Sequence, residues 1–379
     1  MELMSTDTNQ LFLPFTFKNG ITLKNKVAMA PMTTWASNND YTISDDEVKH
    51  YKARVQNIGF VITGCTRVTP SGIGFTHEYA AYDDAFLPSL KKLANAAKSG
   101  GAPAILQIYH AGNKAIPELI PDGDLVSASA IEVGPLPFVS GETIPRALTN
   151  DEILGMIEAF GQATRRAIEA GFDGVELHGA HGFLLQNFFS PLYNQRTDDW
   201  GGSAINRMKF PMGVVKEVQR VIDTYAKRPF LLGYRISPEE SQLESYKIND
   251  VYPLIDELIK ENIDYLHVSL VNVLESKPLN TSGEQTIIEL ILSHVNGRIP
   301  VIAAGSIKTR DDALKAIELG LSLAAIGQAL VINPNWMDLA VKGEPIEEAL
   351  SISKRAELAV PEKLWIVIDA AKGWFKVTA

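Results

Sequence analysis

Eight short, almost continuously apolar runs, each followed by a small turn and an amphipathic stretch, restrict this 379-residue chain to a few folds. The runs are Lys26–Ala30, Gly59–Thr63, Ala104–Ile108, Gly174–Leu177, Phe230–Tyr234, Tyr265–Val268, Pro300–Ala303 and Leu323–Ile326. Strands apolar at consecutive positions are covered on both faces, as parallel strands are. Helical patterns fill the gaps. Ser44–Gln56 opens with Ser-Asp-Asp-Glu, a capping box in which Ser44 faces Glu47. Thr149–Glu169 carries apolar residues at 153, 154, 157, 160, 163 and 167, a helix stripe. Asn249–Glu261 and Thr309–Leu319 each start at a polar cap candidate. Eight such units make either a closed (β/α)8 barrel or a doubly wound open sheet. An open sheet built for a dinucleotide calls for G-x-G-x-x-G after an early strand, and none occurs.

The expected fold class is therefore α/β, a (β/α)8 TIM barrel. A barrel takes about 250 residues, which leaves roughly 130 for decorations. Residues 1–25 contain FTFKNGITL, a hairpin with Asn19-Gly20 as its turn, expected to cap the barrel floor. The barrel proper spans 26–342, with a Pro/Gly-rich excursion at 111–148 after strand 3 and a long loop at 183–202 after strand 4. Residues 343–379 read as a C-terminal helical extension, so the whole chain, 1–379, is expected to be a single domain.

Composition removes several function classes. One cysteine, Cys65, excludes an intrachain disulfide, a cysteine-based zinc site and a four-cysteine iron–sulfur cluster. A net charge of −10 argues against nucleic acid or an anionic membrane as partner. No apolar run reaches the ~18 residues of a membrane span. The first seven residues, Met1-Glu2-Leu3-Met4-Ser5-Thr6-Asp7, lack the basic and apolar regions of a leader, so the expectation is a cytoplasmic protein.

Barrel enzymes place their chemistry at the C-terminal ends of the strands. Here those positions hold Ala30-Pro31-Met32-Thr33, Gly64-Cys65-Thr66, Gln107, His178, Arg235, Ser269, Gly305-Ser306 and Gly327-Gln328. Strand alternation points Gln107 and Tyr109 the same way, into the mouth. Glycine turns after strands 7 and 8 read either as tight connections or as a phosphate site of backbone N–H groups. Arg235, in a strand, needs an anionic or electron-rich partner; the plain reading is a salt bridge to Glu176 across the barrel. His178 and His181 lie three apart just past strand 4. They read as a metal pair, as two structural imidazoles, or as hydrogen-bond donors to a substrate oxygen, the reading favoured here. Asn194–Gly202 reads as a self-bonded scaffold, with Arg196 beside Asp198 and Asn206-Arg207 closing it.

The stretch GVELHGAHGFLLQNFFSPLYNQRTDDWGGSAINR, Gly174–Arg207, carries H-x-x-H-G-[YF]-L followed by F-x-S-P-x-x-N-x-R-x-D-x-x-G-G-S-x-x-N-R. With VAMAPMT, Leu106–Lys114, Ala303–Ile307 and Ile326–Pro334, it resembles the Old Yellow Enzyme family of FMN-dependent NAD(P)H oxidoreductases over about residues 11–340. The resemblance implies FMN as cofactor and NAD(P)H as co-substrate. It also implies ping-pong hydride transfer to a small-molecule electron acceptor such as an activated alkene. Pro31, Met32 and Thr33 would pack against the flavin, and Cys65 would make a backbone contact to it. Gln107 and Arg235 would bond its pyrimidine edge, and Gly305, Ser306, Gly327 and Gln328 would hold its phosphate. His178 and His181 would bind the acceptor's oxygen, with Trp35, Tyr109 and Phe183 lining the pocket and no metal involved. One cysteine separates the chain from the family's iron–sulfur members.

Three departures stand out. Phe183 replaces the family's usual tyrosine proton donor, which favours quinones and nitro compounds over alkenes and makes Tyr109 a candidate substitute. Gln328 replaces an arginine on the phosphate, with Lys308 as a compensating charge. Lys372-Gly373-Trp374 echoes an Arg-Gly-Trp tail that one subgroup inserts into a neighbour, which points to a homo-oligomer. Two different readings are a non-catalytic flavin-binding protein and a flavin-free aldolase, the latter lacking a strand-end lysine. Acceptor specificity would lie in loops 111–148 and 270–283.

Overall fold

The computed structural model describes residues 10–134, 142–279 and 283–379. All eight expected strands form, as β1 (Val27–Met29), β2 (Phe60–Ile62), β3 (Ala104–Tyr109), β4 (Gly174–Gly179), β5 (Leu231–Ile236), β6 (Tyr265–Ser269), β7 (Val301–Ala304) and β8 (Leu323–Ile326). Every neighbour pairs in parallel, and Ala324 of β8 pairs with Val27 of β1, which closes the barrel. Because β4 runs to Gly179, His178 is a strand residue opposite Arg235 and only His181 lies beyond the strand.

The hairpin forms between Phe15–Thr16 and Thr22–Leu23, turned at Gly20 with φ +91°. It sends Phe17 into the floor, where its ring lies 5.6 Å from Phe60 and 6.0 Å from Tyr265. Residues 1–9 of the expected cap lie outside the described residues. So do 135–141 and 280–282 of the two specificity loops. Among the described residues no helix is long and apolar enough to cross a membrane.

Four local expectations are corrected. Leu154, counted in the helix stripe, is exposed, and Met156 takes its place on the buried face of Asn150–Ala170. The loop at 183–202 contains a fully buried helix, Leu184–Phe189. The 343–379 extension is only partly helical (Glu362–Ala370); Leu350–Ser351 pairs with Val377–Thr378. The helix expected from Asn249 begins at Ile248, with Lys247 as its cap residue. The scaffold reading holds: Arg196 bonds Asp198 at 2.6 Å and the carbonyls of Ala128 and Leu148, tying the two long loops together.

The capping box at Ser44 is half formed. Glu47 N donates to Ser44 Oγ at 3.1 Å, but the Glu47 carboxyl turns inward instead of back to its cap. It accepts hydrogen bonds from Thr34 Oγ1 at 2.6 Å and from the Tyr79 hydroxyl, fully buried, with Oε2 unpartnered. Burial pushes its pKa up to about 7, against the partial relief of those two bonds. A carboxyl raised on folding keeps its proton longer in the folded state, so its contribution to stability is greatest below about pH 4.5 and is lost as pH rises to about 7. Glu47→Gln removes that dependence. Relative to wild type, it should gain on the order of 3 kcal/mol between pH 4 and pH 8, read from urea unfolding at both. A constant difference across that range would contradict a buried, titrating Glu47.

Candidate active site

At the C-terminal end of the barrel, Pro31, Met32, Arg235, Ser269, Gly305, Ser306, Gly327, Gln328 and Trp374 surround a cavity of about 360 Å³. A larger cavity of about 850 Å³, beside Glu347, Glu348 and Glu357, shares none of these groups. Gly305 has a steric reason to be glycine. It sits at φ +155°, and a Cβ there would lie 2.3 Å from the Leu270 carbonyl oxygen. Ser306 Oγ donates to the Val271 carbonyl at 2.7 Å, so its hydroxyl holds the turn and is not turned to the cavity. The five-residue helix Gln328–Ile332 starts directly after Gly327, and its first N–H groups have no intrahelical acceptor. Lys308 lines the same cavity.

Arg235 is buried and makes one side-chain bond, Nη2 to Ser269 Oγ at 3.1 Å; its Nε has no partner among the described residues. The alternative salt bridge to Glu176 is absent there. Glu176 is held instead by Gln107 Nε2 at 2.7 Å and His267 Nδ1 at 2.9 Å. Burial alone would raise the Glu176 pKa, yet His267, Arg235 and Gln107 together hold it below the usual range. An ionised Glu176 therefore sits behind a cation that still has donor capacity to spare. Gln107 gives one amide N–H to Glu176, which leaves its second N–H and Oε1 for a ligand.

Ser269 Oγ lies 2.7 Å from His181 Nε2 as well, so one hydroxyl joins the buried guanidinium to the histidine pair. The His178 and His181 rings stand 4.9 Å apart. Ala180 N donates to His178 Nδ1 at 3.3 Å, which assigns the proton to Nε2 and makes that N–H the available donor. Burial, then the charges of His181 and Arg235, hold His178 neutral. His181 keeps an exposed edge, but the protein packed around it and the charges of Arg235 and Lys114 act the same way. Lys114 Nζ fixes the turn by donating to the His181 carbonyl at 2.7 Å. A substrate oxygen meeting His181 at Nε2 has to displace Ser269.

The remaining expected residues form the adjoining wall. Phe183 packs edge-on against His178 at 4.9 Å and Tyr109 at 5.0 Å. Thr33 Oγ1 touches Cys65 Sγ at 3.3 Å, and burial, then Glu78, pushes the thiol up to about 12. Trp35 lies 5.3 Å from Phe75 and 5.6 Å from Trp374. Thus the Lys-Gly-Trp tail folds over its own barrel: the Trp374 carbonyl takes the Gln328 Nε2–H at 2.7 Å. That bond also occupies the side chain expected at a phosphate. Sequence reasoning missed His267 and Glu78. Alternation along β6 (Tyr265, His267, Ser269) carried a signal for the first; nothing local marked the second.

A family model described as the NADH:flavin oxidoreductase / NADH oxidase family matches residues 10–347. The chain belongs to that family. A Bacillus subtilis protein named as a probable NADH-dependent flavin oxidoreductase, YqiG, is 43% identical over 98% of this chain and 99% of its own length. A Klebsiella pneumoniae NADH:fumarate oxidoreductase is 38% identical over 95% of this chain, which spans only 39% of that longer relative. Morphinone reductase, solved in complex with tetrahydroNAD, is 26% identical, covers 89% of this chain and 92% of its own, and superposes with a TM-score of 0.75. This member of the Old Yellow Enzyme family is an NAD(P)H-dependent flavin oxidoreductase, with FMN as its cofactor. The matched residues stop at 347, so Trp374 is contributed to the mouth by chain beyond the family match.

Proposed function

We propose that the mouth binds FMN between the glycine turns and Arg235, and passes a hydride from NAD(P)H to an activated alkene or another electron-poor acceptor held by His178 and His181. The observation that carries this reading is the unbroken link from Arg235 through Ser269 to the paired imidazoles, above a cavity edged by Gly305 and Gly327. The orphaned Arg235 Nε fits an electron-rich ring edge that becomes anionic on reduction. Bound FMN supplies two-electron chemistry that accepts a hydride from one partner and delivers it to the next. The protein's part is to orient, polarise and keep water out. The His178 Nε2–H would stabilise charge developing on a carbonyl or nitro oxygen. Backbone N–H groups at Ser306 and Gln328, with Lys308, would hold the phosphate; Gln328 contributes its backbone only.

A second reading, quinone or nitro reduction with slow alkene chemistry, is favoured by Phe183, which has no proton to give. The relatives named for fumarate and acrylate favour alkenes; both names belong to proteins of which this chain spans about two-fifths. The test is spectral and then kinetic. The purified protein should show flavin absorbance that NAD(P)H bleaches anaerobically, and single-turnover mixing with 2-cyclohexenone or a quinone should restore it. Fast reoxidation by the alkene removes the second reading. No flavin bands, and none regained with added FMN, removes both.

A further inference from the structure

Saturating an activated carbon–carbon double bond takes one proton for every hydride. The residues around His178 differ sharply in their capacity to give one. Phe183 has none, and an N–H of a neutral imidazole is a hydrogen-bond donor, not an acid near pH 7. Against this wall lies a buried phenol–carboxyl pair. The Tyr109 ring is 5.0 Å from Phe183 and 6.1 Å from His178. Its hydroxyl donates to Glu78 Oε2 and accepts the Gly74 N–H at 3.1 Å.

The chain builds this pair with two very short strands. Thr66–Arg67 runs beside the end of β3, Thr66 opposite Ile108 and Arg67 opposite Tyr109, and Tyr79–Ala80 adds outside it. That pairing brings Glu78, one residue before Tyr79, against Tyr109. Glu78 is buried; its Oε2 accepts from Phe75 N at 3.1 Å and Gly74 N at 3.3 Å, and its Oε1 has no partner. The charged and titratable groups facing it are Arg67, Tyr109 and Cys65. The Arg67 guanidinium stacks on Tyr41 at 3.9 Å and Tyr82 at 5.3 Å. Burial outweighs the pull of Arg67 and of these hydrogen bonds, and pushes the Glu78 pKa up to about 8.

We infer that Tyr109 is the proton donor to carbon acceptors in this protein and that Glu78 reprotonates it. The inference rests on the proposed hydride-transfer reading of the mouth. As a hydride with its electron pair forms the new bond at the β-carbon, the π pair shifts toward the α-carbon and its carbonyl. The Tyr109 hydroxyl, which at rest donates to Glu78, turns toward the α-carbon; its O–H bond breaks and its proton forms the α-carbon–hydrogen bond. The Glu78 carboxyl proton passes to the phenolate oxygen, which the Gly74 N–H already supports, and Glu78 recovers a proton from solvent. The electrons come from NAD(P)H and the proton from water. Tyr109 has no exposed surface, so transfer requires Phe183 or Phe75, with ring centroids 5.0 and 6.5 Å away, to turn aside.

The test uses the FMN-loaded protein, reduced by NAD(P)H, then mixed with 2-cyclohexenone or benzoquinone. Tyr109→Phe should lower the alkene-to-quinone rate ratio by roughly 10²–10³, since quinones need no protonation at carbon. Adding Phe183→Tyr to Tyr109→Phe should recover much of that ratio, which a packing defect would not permit. The wild-type steady-state alkene rate, which needs Tyr109 reprotonated in every turnover, should fall above about pH 8, and Glu78→Gln should erase that limb. The wild-type-minus-Glu78→Gln infrared difference should show a protonated-carboxyl band that fades over the same pH range. A Tyr109→Phe ratio within about threefold of wild type, far short of what a lost general acid costs, overturns the inference while leaving hydride transfer intact. Failure of NAD(P)H to bleach the flavin, or of quinone to restore it, overturns the hydride-transfer reading itself.

Discussion

Replacing His178 by leucine should slow reoxidation by carbonyl or nitro acceptors by roughly 10²–10³, the usual effect of removing one donor to a developing oxyanion. The size of that effect depends on the imidazole's protonation state. His178 is 3% exposed, accepts the Ala180 N–H on Nδ1, and faces the positive charge of Arg235. Each of these keeps it neutral with Nε2–H presented, so it polarises the acceptor without titrating. The folded pKa lies well below the ordinary histidine value, which puts its charged form out of reach at neutral pH. Rates of quinone reduction between pH 5.5 and 8 should therefore show no histidine limb. His178→Gln, which carries an N–H in about the place of Nε2, should recover part of the loss. A reoxidation rate little changed in His178→Leu would mean that the acceptor oxygen is held elsewhere, with Lys114 and Ser269 the groups to examine. Stopped-flow absorbance of the flavin reports all three.

The barrel was legible because its strands are apolar on both sides and its helices are capped locally; both signals act within ten or so residues. Strand-end placement put Arg235, His178 and the glycine turns together at one end of the barrel without a structure, and the fold has them there. What stayed hidden depends on pairing at a distance. Glu47 has the spacing of a capping box, yet the buried ground beneath its helix offers it Thr34 and Tyr79, and those bonds outcompete the cap. Glu78 reaches Tyr109 only through two-residue strands, too short to show a period. Trp374 lies 46 residues beyond Gln328, and nothing in a Lys-Gly-Trp run says whether it will fold onto its own barrel or a neighbour's. The homo-oligomer expected from that run is therefore a proposal separate from the tail's observed position.

Arg235→Met should separate cofactor binding from architecture, because the two roles predict opposite signs. If Arg235 were a structural ion-pair partner, removing it would strand a buried carboxylate and destabilise the fold by several kcal/mol. Glu176, however, keeps both its hydrogen bonds, from Gln107 and with His267, when Arg235 is gone, and loses only the through-space pull of the guanidinium. Arg235 itself sits buried with one side-chain bond and an unpartnered Nε, an arrangement that costs free energy until an anion arrives. The Arg235→Met variant without flavin should thus melt no lower than flavin-free wild type. Its affinity for FMN should fall, and fall most for the reduced, anionic form. A charge-assisted bond is worth about 1.5–3 kcal/mol, so reduced FMN should bind roughly 10–150-fold more weakly. The part of that loss confined to the reduced form, spread over a two-electron couple, lowers the bound potential by up to about 30–65 mV relative to wild type. Arg235→Lys should fall between the two: an ammonium keeps the charge but loses the planar fork. Dye-equilibration potentials and flavin titrations give both numbers. A lower melting temperature with an unchanged potential would return Arg235 to a purely structural role.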